Sequence, residues 1–254
     1  MHSFFKHVKQ WEIESKGFKG RLPLFYYDSL SFTAIYTAAT RHVKKLLPLP
    51  DMYPVEFIPG RALAAFTAFK YRHTDIDPYN EFSIAFLITY KRIPIPFFTI
   101  LRGLMKNIFS AYVWQLPVTT ELARIGGVAF YGYPKFIADI TFHQDNNWIY
   151  CELSQKGKMI LSLKGQKLNS ATGGLARYIT YSVLDDIPIR TNIHINPLET
   201  AKTGNKRAAV LEVGTDHPIA NTLNRIDLSV KPIQYQYSAR QQAILFPGRN
   251  LLDN

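Results

Sequence analysis

Glu121-Leu-Ala-Arg-Ile-Gly-Gly127-Val-Ala-Phe-Tyr-Gly-Tyr-Pro134-Lys135-Phe-Ile-Ala-Asp139 is the stretch on which the reading of this sequence turns. Lys135 follows a proline and has Tyr131, Tyr133, Phe136 and Ile137 around it. Beyond it, Ile137, Asp139 and Thr141 alternate as in a strand. A lysine in such company is either an exposed strand residue or partly buried, and composition alone leaves both readings open. Burial would disfavour the ammonium form. The free amine is a nucleophile toward carbonyl carbon, as Schiff-base chemistry requires.

Outward from this window the chain reads as strands. Runs at 136–142, 148–153 and 159–163 are separated by turn signals at Asp145-Asn146-Asn147 and Lys156-Gly157-Lys158, a meander of short antiparallel strands. Upstream, 31–37, 62–69 and 82–90 are further strands. Residues 38–47 have helical spacing and must stop near Pro48. Downstream, strands are expected at 177–183, 189–195, 206–213 and 230–238, with a short helix at 217–223. Residues 1–20 read as an amphipathic lead-in. The very apolar segment 93–117 reads as a helical insertion, because Arg102, Lys106 and two prolines argue against a membrane span. The expectation is one domain over 1–254, mainly β with few helices.

Composition narrows the function classes. Apolar residues make up 47% of the 254-residue chain and charged ones 19%, enough for a sizeable core. The single cysteine, Cys151, excludes an internal disulfide framework and a multi-cysteine zinc site, fits a reducing compartment, and reads as a core thiol. A net charge of +11 attracts anions. No basic run exceeds a few residues and no nucleic-acid motif accompanies them, so nucleic acid is not the expected partner. His73, Asp75 and Asp77 read as a solvated turn rather than a metal site. The glycine pairs lack the phosphate-loop pattern. There is no Gly-x-Ser-x-Gly support for a serine triad. No metal or cofactor is expected.

The window resembles the active-site stretch of the acetoacetate decarboxylase family. That pattern is Glu-x-Ala, then Gly-Arg-Glu, then x-x-Gly-aromatic-Pro-Lys. Here Glu121, Ala123, Gly127, Gly132, Tyr133, Pro134 and Lys135 follow it without a gap. A second element, aromatic-x-Glu before a strand, is similar to Tyr79-Asn80-Glu81-Phe82. The resemblance implies a cone-shaped antiparallel β-barrel, a Schiff-base lysine at Lys135 and a cavity carboxylate at Glu81. It implies Tyr131, Tyr133, Phe136, Phe66 and Glu121 as substrate-binding positions. There are departures. The family's Arg-Glu is Val128-Ala129, its early arginine falls near Ser29, and a second cavity glutamate falls near Phe66. In the family the reactive lysine is activated beside another cation. That neighbour is Phe136 here, which leaves desolvation by Phe136, Tyr131 and Tyr133 to favour the free amine.

The expected function is therefore a decarboxylase-like lyase that forms a Schiff base with a small keto acid or related carbonyl compound. It would act as a homo-oligomer in the cytoplasm. The other reading is a barrel that binds an apolar carbonyl compound or lipid, held at an anionic membrane surface through 93–117 and its positive charge.

Overall fold

The computed structural model describes residues 3–15, 17–91 and 108–253. In chain order the elements are β1 (Trp11–Ser15), β2 (Phe18–Leu22), β3 (Leu24–Ala39), α1 (Thr40–Leu46), β4 (Met52–Pro54), β5 (Glu56–Ile58), β6 (Arg61–Thr74) and β7 (Tyr79–Tyr90). They continue with β8 (Ile108–Gln115), α2 (Glu121–Tyr131), β9 (Asp139–Gln144), β10 (Trp148–Gln155), β11 (Lys158–Gln166), β12 (Ala176–Leu184) and β13 (Ile187–Thr203). The last are β14 (Ala209–Val213), α3 (Pro218–Arg225), β15 (Gln234–Leu245) and β16 (Arg249–Asn250).

Seven strands close into a barrel in the order β7-β8-β12-β13-β15-β3-β6, and the β6–β7 pairing completes the ring. A four-stranded sheet, β14-β11-β10-β9, packs over the outside. Period-two patterning explains both layers. On one face of β3, β6 and β7 lie Phe32, Ala34, Phe66, Ala68, Phe82, Ile84 and Phe86, all without solvent exposure. They meet Ile149, Cys151 and Leu153 of β10 and Leu161 and Leu163 of β11 in one core cluster. Each large apolar side chain buried there is worth about 1.5–3 kcal/mol. The opposite face turns into the barrel. Leu24, Tyr26, Tyr71, Tyr79, Val113, Ala243 and Leu245, from five strands, form a second cluster inside one end.

Three expectations need correction. The barrel is not wholly antiparallel, because β8 and β12 pair in parallel. The chain between them runs through α2 and most of the outer sheet before returning, the long crossover that parallel neighbours require. Second, residues 108–115, expected in a helical insertion, form strand β8. Ala111, Val113 and Gln115 pair with β7, and continuous apolarity had concealed the alternation. Residues 92–107 of that segment lie outside the described residues. Third, the lead-in contains a hairpin, β1 paired with β2, and Phe18 of that hairpin is buried.

Candidate active site at the closed end of the barrel

Two backbone segments bring Lys135 to Glu81. α2 ends at Gly132, whose φ of 59° is the left-handed conformation that stops a helix at little cost for glycine. A Cβ at this position would also strike the Val183 carbonyl. The Tyr133 N–H then donates to the Gly127 carbonyl at 3.2 Å, turning the chain back beneath the helix. From Pro134 onward the backbone runs beside 116–118: Leu116 N–H donates to Pro134 O at 3.3 Å and Val118 N–H to Phe136 O at 2.9 Å. Val118 also bridges Glu81 of β7. The 116–118 segment thus lies between the lysine's loop and the glutamate's strand.

The Lys135 Nζ donates to Glu81 Oε2 at 2.7 Å, and the two side chains are 6% and 8% exposed. The Tyr71 hydroxyl donates to Glu81 Oε1 at 3.2 Å. The amine lies 5.5 Å from the centre of the Tyr79 ring. The Tyr79 hydroxyl is 3.3 Å from that of Tyr26. Tyr133 shares a 2.6 Å hydrogen bond with Thr180 and stacks on Tyr131. The buried Tyr131 hydroxyl has no partner among the described residues. Gly127 makes room for the lysine stem: a Cβ there would overlap Lys135 Cδ and Cε.

Burial, followed by the Glu81 charge, pushes the phenols of Tyr26, Tyr71 and Tyr79 well above the usual tyrosine value. Burial raises Tyr131 as well. Tyr133 is pushed up to about 12 by burial, against the opposing effect of its Thr180 hydrogen bond. At neutral pH the phenols around Lys135 and Glu81 are therefore neutral. A cavity of about 20 Å³ adjoins the pair, lined by Phe18, Tyr26, Gly127, Tyr131, Tyr133 and Lys135 among others. It has room for one or two water molecules. The Phe18 ring, from the β1–β2 hairpin, sits so close to Gly20 and Gly126 that a Cβ at either would collide with it. A larger cavity, about 360 Å³, lies on the barrel's outer side near Lys70, Arg72, Lys167 and Arg240, away from this chemistry. Arg72 and Arg240 are already paired there with Asp28 and Glu199.

Of the residues singled out from sequence, the structure gathers Lys135, Glu81, Tyr131 and Tyr133 and separates the other three. Phe66 pairs with Ile84, an odd number of residues from Glu81, so it faces the outer core. Phe136 follows Lys135 in extended backbone and packs against that same outer core. Glu121 opens α2 in solvent, its side chain 56% exposed and ion-paired with Arg124. Tyr26, Tyr71, Tyr79 and Phe18 were not singled out. Only Tyr79 carried a signal, since it is two residues before Glu81 on a strand and so shares its face. Ser29, at the position of the family's early arginine, is fully buried and donates to Gln241 O at 3.2 Å. Asp75 accepts from Gln10, Phe25 N–H and Tyr27, a structural role. Among the described residues no group of three or more His, Cys, Asp or Glu is placed to hold a metal, and no helix is long and apolar enough to cross a membrane.

The molecule is thus a closed seven-stranded barrel with a buried lysine–glutamate pair at one end. A family profile, Acetoacetate decarboxylase (ADC), matches residues 15–183, and the chain belongs to that family. No curated protein matches it in sequence. Among solved structures it resembles an acetoacetate decarboxylase (14% identity, 90% of this chain and 89% of the other, TM-score 0.60). It also resembles the acetoacetate decarboxylase of Legionella pneumophila (11%, 96% and 92%, 0.65). A third likeness is to the enduracididine biosynthesis enzyme MppR complexed with the condensation product of pyruvate and imidazole 4-carboxaldehyde (13%, 90% and 88%, 0.64). At these identities the structural likeness speaks for the fold.

Proposed function

We propose that the protein is a lyase-type enzyme that forms a Schiff base between Lys135 and a small keto acid or related carbonyl compound. The supporting observation is the buried 2.7 Å contact between the Lys135 amine and Glu81. An amine must give up a proton before it attacks a carbonyl carbon, and Glu81 is in position to take it. Addition forms the new C–N bond. The carbonyl oxygen then leaves as water, with Glu81 as the acid that returns the proton. The resulting iminium accepts the electron pair of a neighbouring C–C or C–H bond when that bond breaks. Tyr71 holds the second oxygen of Glu81, which aims the first at the amine. The unpartnered Tyr131 hydroxyl is available to a bound ligand. Membership of a family that includes decarboxylases, and the fold shared with an enzyme solved with a pyruvate condensation product, support the same reading.

The test is incubation with pyruvate and other small keto acids in the presence of borohydride, followed by intact mass. A stable mass gain in the wild type, absent in a folded Lys135→Ala variant, is the expected result. The same gain in both proteins would refute the assignment. No gain with any compound would favour a binding barrel without this chemistry.

A further inference from the structure

The barrel's inner face carries two unbroken rows of side chains that lead away from Lys135. The strand register places Glu81, Phe69, Ser31, Ser238 and Thr200 side by side across β7, β6, β3, β15 and β13. The next inward-facing row, two residues further along each strand, is Ser83, Thr67, Thr33, Gln236 and Lys202. That step is about 7 Å. Six of these ten side chains are hydroxyls. Thr33 and Thr67 lie 3.0 Å apart, and Thr200 and Ser238 lie 2.8 Å apart.

The second row is wetter than the outer face beside it. Thr33, Thr67 and Ser83 are half-buried, whereas Phe32, Ala34, Phe66, Ala68, Phe82 and Ile84 beside them on the outer face are fully buried. Burying hydroxyls under an apolar chain would strip their water without replacing its hydrogen bonds. Hydroxyl groups of a ligand can replace them, because each Ser or Thr both donates and accepts. The charges decide the rest. Among the described residues of the two rows and the pair itself, the cations are Lys135, already matched by Glu81, and the exposed Lys202 at the far end of the second row. A ligand carboxylate beside the reacting carbon would face Glu81, with Ser29 rather than a cation nearby.

We infer that the compound taken up at Lys135 is a neutral aldehyde or ketone with a hydroxylated chain, and that Thr67, Ser83 and Thr33 read the chain. This rests on Lys135 being the Schiff-base amine, narrows its preferred partner from the keto acids to the related neutral carbonyl compounds, and names a different part of the barrel. The test compares erythrose, butanal and pyruvate for borohydride-fixed adducts at Lys135, located by peptide mass in wild type and a Thr67→Val/Ser83→Ala variant. Erythrose labels the wild type about tenfold more efficiently than either other compound, the ratio expected for one or two net hydrogen bonds. The variant brings the erythrose-to-butanal ratio to about one. Equal labelling by butanal or pyruvate in the wild type, or an unchanged ratio in the variant, would overturn the inference. Binding of erythritol, which has no carbonyl, is followed by saturation-transfer NMR in the same two proteins. Erythritol binding that the variant loses, with no adduct from any compound, would refute the Schiff base and uphold the hydroxyl rows. Absence of erythritol binding, even with Lys135 labelled, would overturn the rows.

Discussion

Replacing Glu81 by Gln leaves the Lys135 ammonium in the barrel without its counter-charge. The perturbation is large because the contact is short, 2.7 Å, and both side chains are more than nine-tenths buried. Taking one partner from a buried pair costs about 3–5 kcal/mol, mostly the penalty of the charge left behind. In a chain of this size each kcal/mol moves the melting temperature by roughly 2–4 °C, so Glu81→Gln should lower it by about 6–20 °C. Lys135→Met should also destabilise, less severely, because the glutamate keeps its hydrogen bond from Tyr71. The double variant, Glu81→Gln with Lys135→Met, contains no unpaired charge and should be more stable than Glu81→Gln alone. Urea denaturation of the four proteins gives the coupling directly, expected at about 1–3 kcal/mol. Additive losses, or a Glu81→Gln variant within about 0.5 kcal/mol of wild type, the range of ordinary surface changes, would refute a buried, coupled pair.

Gly127→Ala should separate fold from site. Alanine favours a helix interior by up to about 1 kcal/mol over glycine, but its Cβ overlaps the lysine stem. We expect a melting temperature within a few degrees of wild type and borohydride adduct formation lower by about a hundredfold, the cost of misplacing a reacting group. Tyr133, raised to about 12 in the fold against an ordinary value near 10, sets a pH dependence. Its contribution is fully present below pH about 10 and is lost as pH rises to about 12, because only the unfolded phenol ionises in that window. Stability of Tyr133→Phe should fall less steeply than wild type across it. Cys151 is completely buried and its thiol is pushed up by burial. Its alkylation by iodoacetamide should follow global unfolding, and prompt modification of native protein would contradict the core placement.

The apolar run at 82–90 was legible in the sequence as strand β7, and the turn signals at 145–147 and 156–158 divided the outer sheet as observed. Lys135 and Glu81 were legible because short local patterns carry them. The partners of that pair were harder to see. Tyr71 reaches Glu81 from the neighbouring strand of the β6–β7 hairpin, a placement that depends on strand register, and Tyr26 joins Tyr79 from β3, a long-range approach that leaves no trace in local spacing. Phe66 shows how sensitive such placement is, since a one-residue error in a strand moves a side chain to the other face. Helix α2 went unread because Gly126-Gly127 lowers helix propensity in its middle. The start signals were there, with Thr120 before the first turn and Glu121 in it. Residues 108–115 were merged with the apolar run before them, since a short apolar stretch fits a strand or a helix equally well.

Locating the adduct tests the role of Lys135 most directly. Wild-type protein is incubated with carbonyl compounds and borohydride, digested, and its lysines are examined by tandem mass spectrometry. A reduced adduct on Lys135 is expected, with surface lysines such as Lys19 unmodified at the same concentration. Labelling confined to surface lysines, with Lys135 unmodified in folded protein, would contradict it.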